Sequence, residues 1–356
     1  MDRKTCRVCR KRLSAAAFNG SARSADGLAN TCRACANARR RQLEASRLEA
    51  SRPGRHTAAS NLAALIRRGD IKSLRARLRT GAKPHWSWVC ETMREGHLAF
   101  AEMLLESGVE RNVFTMAAMG DSAGLTRRLR RVPADARLVA DFEPNCLNVT
   151  PLHVGCAADW RSHGRERLTA QTKIAESLCG HGADLNATAW YRGLEATPLF
   201  CACWTSGNLP LVRWLLDQGA IATDHCLPAA LGHFQRHGRG ADDVAEALLA
   251  WGLPVDGSTP GDRTPLQAGA HQAQHKTVAW LIAHGADVNA RGPGGRTAAH
   301  LAAERSTGPK TLALLVEHGA DLAARDDDGQ TPLTIAKLFG KSRLVEWIRN
   351  RARKSG

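Results

Sequence analysis

The chain has 356 residues with 50 Lys+Arg and 34 Asp+Glu, a formal net charge of +16. With 43% apolar and 24% charged residues it holds enough apolar material for a core, which excludes a wholly disordered chain. No apolar run approaches the roughly 18 residues that span a bilayer, and the charged start Met1-Asp-Arg-Lys-Thr5 has no secretory character. A cytoplasmic protein with reduced thiols is therefore expected, without a disulfide framework.

The charge is unevenly placed. Residues 1–55 hold 14 basic against 4 acidic residues (+10), residues 57–134 hold 13 against 7 (+6), and residues 135–356 hold 23 against 23. A basic front end joined to a neutral body predicts different roles for the two parts.

At the N-terminus, Cys6-x-x-Cys9 and Cys32-x-x-Cys35 are separated by 22 residues. Each pair forms a tight knuckle that turns two sulfurs toward one ion, and four thiolates suit tetrahedral Zn²⁺. Four protein ligands leave no position for water, so one structural zinc is expected in a four-cysteine module over residues 1–38. Val8, Leu13, Phe18 and Leu28 are its main large apolar residues, too few to fold about 40 residues without such a staple.

The wording from Lys4-Thr-Cys-Arg-Val-Cys9 through Leu13, Phe18 and Ser24-Ala-Asp-Gly-Leu28 to Cys32-Arg-Ala-Cys35 and its basic tail resembles a small zinc module of phage and bacterial proteins. That module often precedes HNH-type endonuclease domains. No His–Asn–His constellation follows here, so the resemblance does not extend to nuclease chemistry. Residues 39–56 then read as a basic linker helix ended by Pro53-Gly54. Its Arg39, Arg40, Arg41 and Arg47 are the candidates for contact with nucleic-acid phosphates. No aromatic residue interleaves with them to stack on bases.

From residue 150 onward the chain repeats itself. Thr-Pro-Leu or its equivalent starts at Thr150, Thr197, Thr264, Thr297 and Thr331, and a Gly-Ala element closes units at Gly182, Gly219, Gly285 and Gly319. The Thr caps a helix, Pro fits its first turn, and Leu opens the buried face. The glycine supplies the left-handed turn that ends the second helix, as at Gly219 and Gly285. This pattern closely resembles the ankyrin repeat, a turn followed by two antiparallel helices. One unit cannot bury its own face, so units must stack into a solenoid.

Weaker copies occur at 61–82, 88–109, 114–132 and 226–255, and 331–350 reads as a C-terminal cap with polar Lys341, Arg343, Glu346 and Arg349. The expected class is all-α: an ankyrin solenoid of about nine units behind a zinc-stapled module. Its divisions are 57–149 (divergent repeats), 150–350 (repeats with cap) and a tail at 351–356.

The unit from Thr150 departs most from the pattern. It carries 11 extra residues near Trp160–Arg167, and a finger 3 residues longer that holds Trp190-Tyr191-Arg192. The resemblance implies partner binding through the fingers and the concave face. Interface anchors favour Trp, Tyr and Arg, so Trp190, Tyr191, Arg192 and Trp160 are the expected partner-binding residues.

The resemblance also implies that His153 and His300, three residues after the cap threonines, bridge repeats by hydrogen bonds. Cys156, Cys201 and Cys203 occupy small apolar positions and are expected as buried thiols. Asp326-Asp-Asp328 lacks the alternating spacing of a calcium loop and reads as a solvated turn. No phosphate-cradling glycine loop and no catalytic triad is present. The expectation is a monomeric, non-enzymatic adaptor for a protein partner. The alternative is a nucleic-acid-binding protein whose basic zinc end holds the nucleic acid while the array recruits.

Overall fold

The computed structural model describes residues 3–5, 12–14, 18–20, 28–32, 65, 70–79, 84–141, 146–191, 194–223, 225–237, 242–257, 263–306 and 308–352. The chain forms two compact units, residues 1–76 with 142–145 and residues 77–141 with 146–356.

In the first unit, β1 (Arg3–Thr5) pairs antiparallel with β2 (Arg12–Ser14), Thr5 opposite Arg12. β3 (Phe18–Gly20) pairs antiparallel with β4 (Leu28–Cys32), with a register shift between Phe18 and Gly20. Cys6 and Cys9 thus fall between β1 and β2, and Cys32 closes β4. Cys6, Cys9 and Cys35 themselves lie outside the described residues, as do Arg39, Arg40, Arg41 and Arg47. The helix α1 (Ile71–Arg79) follows. Asp70 caps it, accepting from the Ser73 amide at 3.0 Å.

The second unit is built of helix pairs, eight of them among the described residues. They are α2 (Trp86–Arg94) with α3 (Leu98–Glu106), and α4 (Val113–Ala118) with α5 (Ser122–Arg131). Next come α6 (Pro151–Ala157) with α7 (Arg165–Gly180), and α8 (Pro198–Cys201) with α9 (Leu209–Asp217). α10 (Cys226–His237) pairs with α11 (Asp243–Ala250), and α12 (Pro265–His271) with α13 (His275–Ala283). The last are α14 (Ala298–Arg305) with α15 (Lys310–Glu317), and α16 (Pro332–Leu338) with α17 (Ser342–Ala352).

The first helices stack one on the next, α2 on α4, α4 on α6, α6 on α8, and on through α10, α12 and α14 to α16. The second helices form an outer row: α5, α7, α9 and α11 pack in succession, as do α13 and α15, and α13 also packs on α10. Each buried stripe is thus covered by neighbouring units as well as by the other helix of its own, as a stacked repeat requires. Leu152, Leu199, Leu266 and Leu301 of the inner helices and Leu178, Leu215, Leu281 and Leu315 of the outer ones are all buried.

The local signals behave as expected. Thr150, Thr197, Thr264 and Thr331 accept from the amide three residues on, and Thr297 sits in a capping box with His300. Gly285, after α13, has φ +84° and closes the helix with its own N–H to Ile282 and that of Ala286 to Leu281.

Two expectations need correction, and α8 shows a feature that neither motif nor period foresaw. The second unit is not purely helical: β5 (Cys146–Leu147), β6 (Ala189–Tyr191) and β7 (Leu194–Ala196) form a three-stranded sheet in that order. α8 does not run on as an α-helix but continues into a π-helical turn at Ala202–Ser206. The last helix extends to Ala352, past the expected cap boundary. Among the described residues no helix is long and apolar enough to cross a membrane.

Candidate protein-interaction surface

The finger between α7 and α8 is a β-hairpin rather than a loose turn. Trp190 lies opposite Glu195 on β7 and opposite Leu147 on β5, and Tyr191 lies opposite Cys146. An antiparallel bridge between Ala140 and Val149 continues this ribbon. Leu138 and Val139 run directly into it and are exposed, Val139 at 56%. The finger therefore presents a half-buried Trp190 on a sheet flanked by exposed apolar side chains. Arg192 lies outside the described residues.

The apolar pair Leu138–Val139 escaped the sequence reading, because residues 133–149 matched no repeat. The signal was there: two large aliphatic residues in a stretch with no helical period.

The base of this finger is held by His153. The Thr150 amide donates to its Nδ1 at 3.3 Å, so Nε2 carries the proton and donates to the Ala196 carbonyl at 3.2 Å. That carbonyl is the last of β7, so one buried imidazole ties the cap of one repeat to the finger of the next. Burial holds His153 down at about 4, against an ordinary 6.5. His300 does the same between Thr297 and the Gln330 carbonyl, at 3.2 and 3.0 Å. In one of the units between them Gln267 takes over: its Nε2 donates to the Ala290 carbonyl at 2.8 Å and to the Arg296 carbonyl at 3.1 Å. Asn289 adds a second bridge along the fingers, donating to the Gly319 carbonyl and accepting from the Asp321 amide, both at 2.9 Å. Asn186 repeats that arrangement with Gly219 and Ile221.

The 11-residue insertion is an ordered buttress. It forms a short 3-10 turn (Arg161–His163) and extra turns at the start of α7. The Asp159 amide donates to the Met93 carbonyl at 2.8 Å, which pins the insertion to the end of α2. Trp160 is 0% exposed, so it is a core residue and not the surface anchor that its place in the insertion suggested. Its ring lies over Gly120, where a Cβ would come within 3.5 Å. Its edge meets His163 at 5.6 Å, and the Arg167 guanidinium sits 5.1 Å from its centroid. A large aromatic that reaches a neighbouring repeat buries more area there than it would at a rim.

Behind the insertion, Gln171 is 1% exposed and fully engaged. Its Nε2 donates to Gly155 at 2.7 Å and Ala158 at 2.9 Å, and its Oε1 accepts from Ser206 and Asn208, each at 2.9 Å. The hydroxyl donor comes from the π-helical turn, so this network joins α6, α7 and the start of α9.

Cys156, Cys201 and Cys203 are buried as expected. Burial pushes Cys201 up to about 12 and Cys156 well above the usual thiol range. A hydrogen bond with Cys226 raises Cys203 first, and burial adds to it. Such thiols are protonated and inert as nucleophiles. Asp326 departs from the solvated turn expected for it. It is buried, accepts from the Asp328 and Gln330 amides at 3.1 and 2.8 Å, and pairs with Arg296 at 3.4 Å. Among the described residues no group of three or more His, Cys, Asp or Glu is placed to hold a metal.

Family models agree with this geometry. A model of the ankyrin repeat matches residues 195–226 and 261–293, and a model of ankyrin repeats in many copies matches residues 281–336. A putative ankyrin repeat-containing protein of Treponema pallidum (strain Nichols) is 37% identical over 109 residues. The match spans 30% of this chain and 36% of that relative's length. The human ASB11 ankyrin repeat domain is 28% identical with a TM-score of 0.49, over 64% of this chain and 92% of that one. The ankyrin repeat domain of Bcl-3 is 22% identical with a TM-score of 0.47, over 67% and 98%. Residues 195–226 and 261–336 are thus ankyrin repeats, and the helix pairs on either side continue their architecture.

Proposed function

We propose that this chain is a non-enzymatic adaptor whose ankyrin array binds a protein partner at the three-stranded finger. The carrying observation is the ribbon of β5, β6 and β7, which holds Trp190 on a three-stranded sheet, with Leu138 and Val139 exposed just before the Ala140–Val149 bridge that continues it. A rigid aromatic among apolar neighbours loses little entropy on binding and suits an interface centre. Tyr191 and Arg192 share that finger and extend the reading.

Affinity capture with the full chain, compared with Trp190→Ala and Val139→Ser, tests it. The expected result is loss of the same partners in both variants with unchanged circular dichroism. An identical partner set would remove the finger from the binding site.

The N-terminal unit is read as a structural zinc module, held by Cys6, Cys9, Cys32 and Cys35. Two β-hairpins support this reading, since β1 and β2 flank the first C-x2-C and β4 ends on the first cysteine of the second. Bound zinc would cross-link the two hairpins and supply folding free energy that so small a core lacks. Metal analysis is expected to find one zinc per chain, absent in the Cys6→Ser/Cys32→Ser double variant. Full zinc content in that variant would place the metal elsewhere.

The +10 charge of residues 1–55 favours a second role for this end, contact with nucleic-acid phosphates. Affinity for duplex DNA that falls steeply with salt would support it, and no binding at low salt would remove it.

A further inference from the structure

The array's C-terminal face is not the plain polar cap that its sequence suggests. Leu338 is 69% exposed and Phe339 47%, side by side at the end of α16. Next to them a groove of about 540 Å³ runs between α16 and α17. Its α17 wall is Ser342, Val345, Glu346, Arg349 and Asn350, spaced three and four apart on one face of the helix, with Lys341 just before it. Lys337 and Gly340 supply the other wall. α16 packs on α14, so this face points away from the array, where a further helix would stack.

The charge of the face is specific. Lys337, Lys341 and Arg349 line the groove, Arg343 is next in sequence to its Ser342, and Glu346 is the acidic member of its lining. None of those four cations has a carboxylate partner among the described residues. The preceding units differ: Arg291 pairs with Asp327, and Arg296 with both Asp326 and Glu304. At this last face, cations of the groove lining and two large exposed apolar side chains stand together.

From this juxtaposition we infer that the α16–α17 face docks an acidic amphipathic helix of a partner protein, its apolar stripe on Leu338, Phe339 and Val345 and its carboxylates on Lys337, Lys341 and Arg349. A groove lined along one helix face accepts another helix laid into it. Opposite charge at the rim selects the partner and speeds encounter. The inference is independent of the finger reading, because the two surfaces carry different residues.

The test uses the full chain and a fluorescein-labelled synthetic helix of about 16 residues, with leucines at three- and four-residue spacing flanked by glutamates. Fluorescence anisotropy at low salt is expected to show binding. Affinity should fall about tenfold or more in Lys341→Glu/Arg349→Glu and in Leu338→Ser/Phe339→Ser, and at raised salt. Arg127→Glu/Arg130→Glu, on the distant α5, should leave it unchanged. Lys341 is half-buried and the other substituted positions are exposed, so circular dichroism should match the unsubstituted chain.

Four results would overturn the inference. They are no binding at millimolar peptide, equal affinity in both C-terminal variants, equal binding of the same peptide with lysine for glutamate, and self-association of the chain that Phe339→Ser abolishes. The last would make a second copy the occupant.

Discussion

Asn208 donates its side-chain amide to Gln171 Oε1 at 2.9 Å, across 37 residues of sequence and between two helix pairs. The same Asn208 Nδ2 donates to the Leu168 carbonyl at 2.9 Å. Its own Oδ1 faces the Leu211 amide at 3.5 Å, at the start of α9. The insertion before α7 is therefore locked to the next repeat by a buried polar network rather than by apolar packing alone. Such a network is stabilising only while every member is satisfied.

Gln171→Leu should accordingly destabilise the array by about 2–4 kcal/mol, since it removes the acceptor of the Ser206 hydroxyl and of one Asn208 amide hydrogen, and the side-chain donor to the Gly155 and Ala158 carbonyls. Urea denaturation measures it. A double-mutant cycle with Asn208→Leu should show coupling of about 1 kcal/mol or more. Strict additivity would mean that the two side chains act separately.

Trp160→Ala should cost roughly 3–5 kcal/mol, the range for emptying a buried aromatic site. Trp190→Ala, half-buried on the finger, should cost clearly less while removing partner binding. The pair separates a core tryptophan from an interface tryptophan. A stability loss at Trp190 equal to that at Trp160 would reverse their assignments.

His153 sets a pH dependence. Its folded value of about 4 lies below the ordinary 6.5, so the unfolded chain binds the extra proton first. Stability from this residue is complete above about pH 6.5 and is lost as pH falls toward 4. The difference amounts to roughly 3 kcal/mol. His300 is shifted in the same direction by burial and adds to the trend. In His153→Gln the slope of stability against pH between these values should flatten. Gln267 shows that an amide fits the same geometry, so the fold should survive the change. An unchanged slope would assign the pH dependence to other groups.

Glycines at two positions should respond oppositely to alanine. Gly285 sits at φ +84°, where a Cβ costs about 1–2 kcal/mol. Gly232 lies inside α10 with open space around its Cα, so Gly232→Ala should stabilise by about 0.5–1 kcal/mol. Thermal melts of the two variants should shift in opposite directions. A shift in the same direction would mean that the α10 site is not an ordinary helix interior.

Much of this protein could be read from its sequence because the decisive chemistry is local. A threonine cap with proline behind it, an apolar period of three and four, and a closing glycine each act within a few residues. They therefore placed the helix pairs from residue 150 onward, and the imidazoles of His153 and His300 could be assigned their bridging role by motif position. The copies expected at 88–109 and 114–132 correspond to α2 with α3 and α4 with α5, α2 starting two residues earlier than expected, while most of the copy at 61–82 lies outside the described residues.

What the tertiary structure alone decided depends on partners far away in the chain. Trp160 became core because Gly120, 40 residues earlier, leaves space for its ring. Gln171 became a hub because Ser206 and Asn208 reach it from 35 and 37 residues on. Asp326 left the solvated turn for an ion pair with Arg296, a residue of the preceding finger. Leu138 and Val139 stand exposed because the residues after them are drawn into a sheet with a finger some 50 residues away. Composition states that a side chain can be buried or paired. Which neighbour buries or pairs it is settled by stacking, since each repeat is completed by the next one.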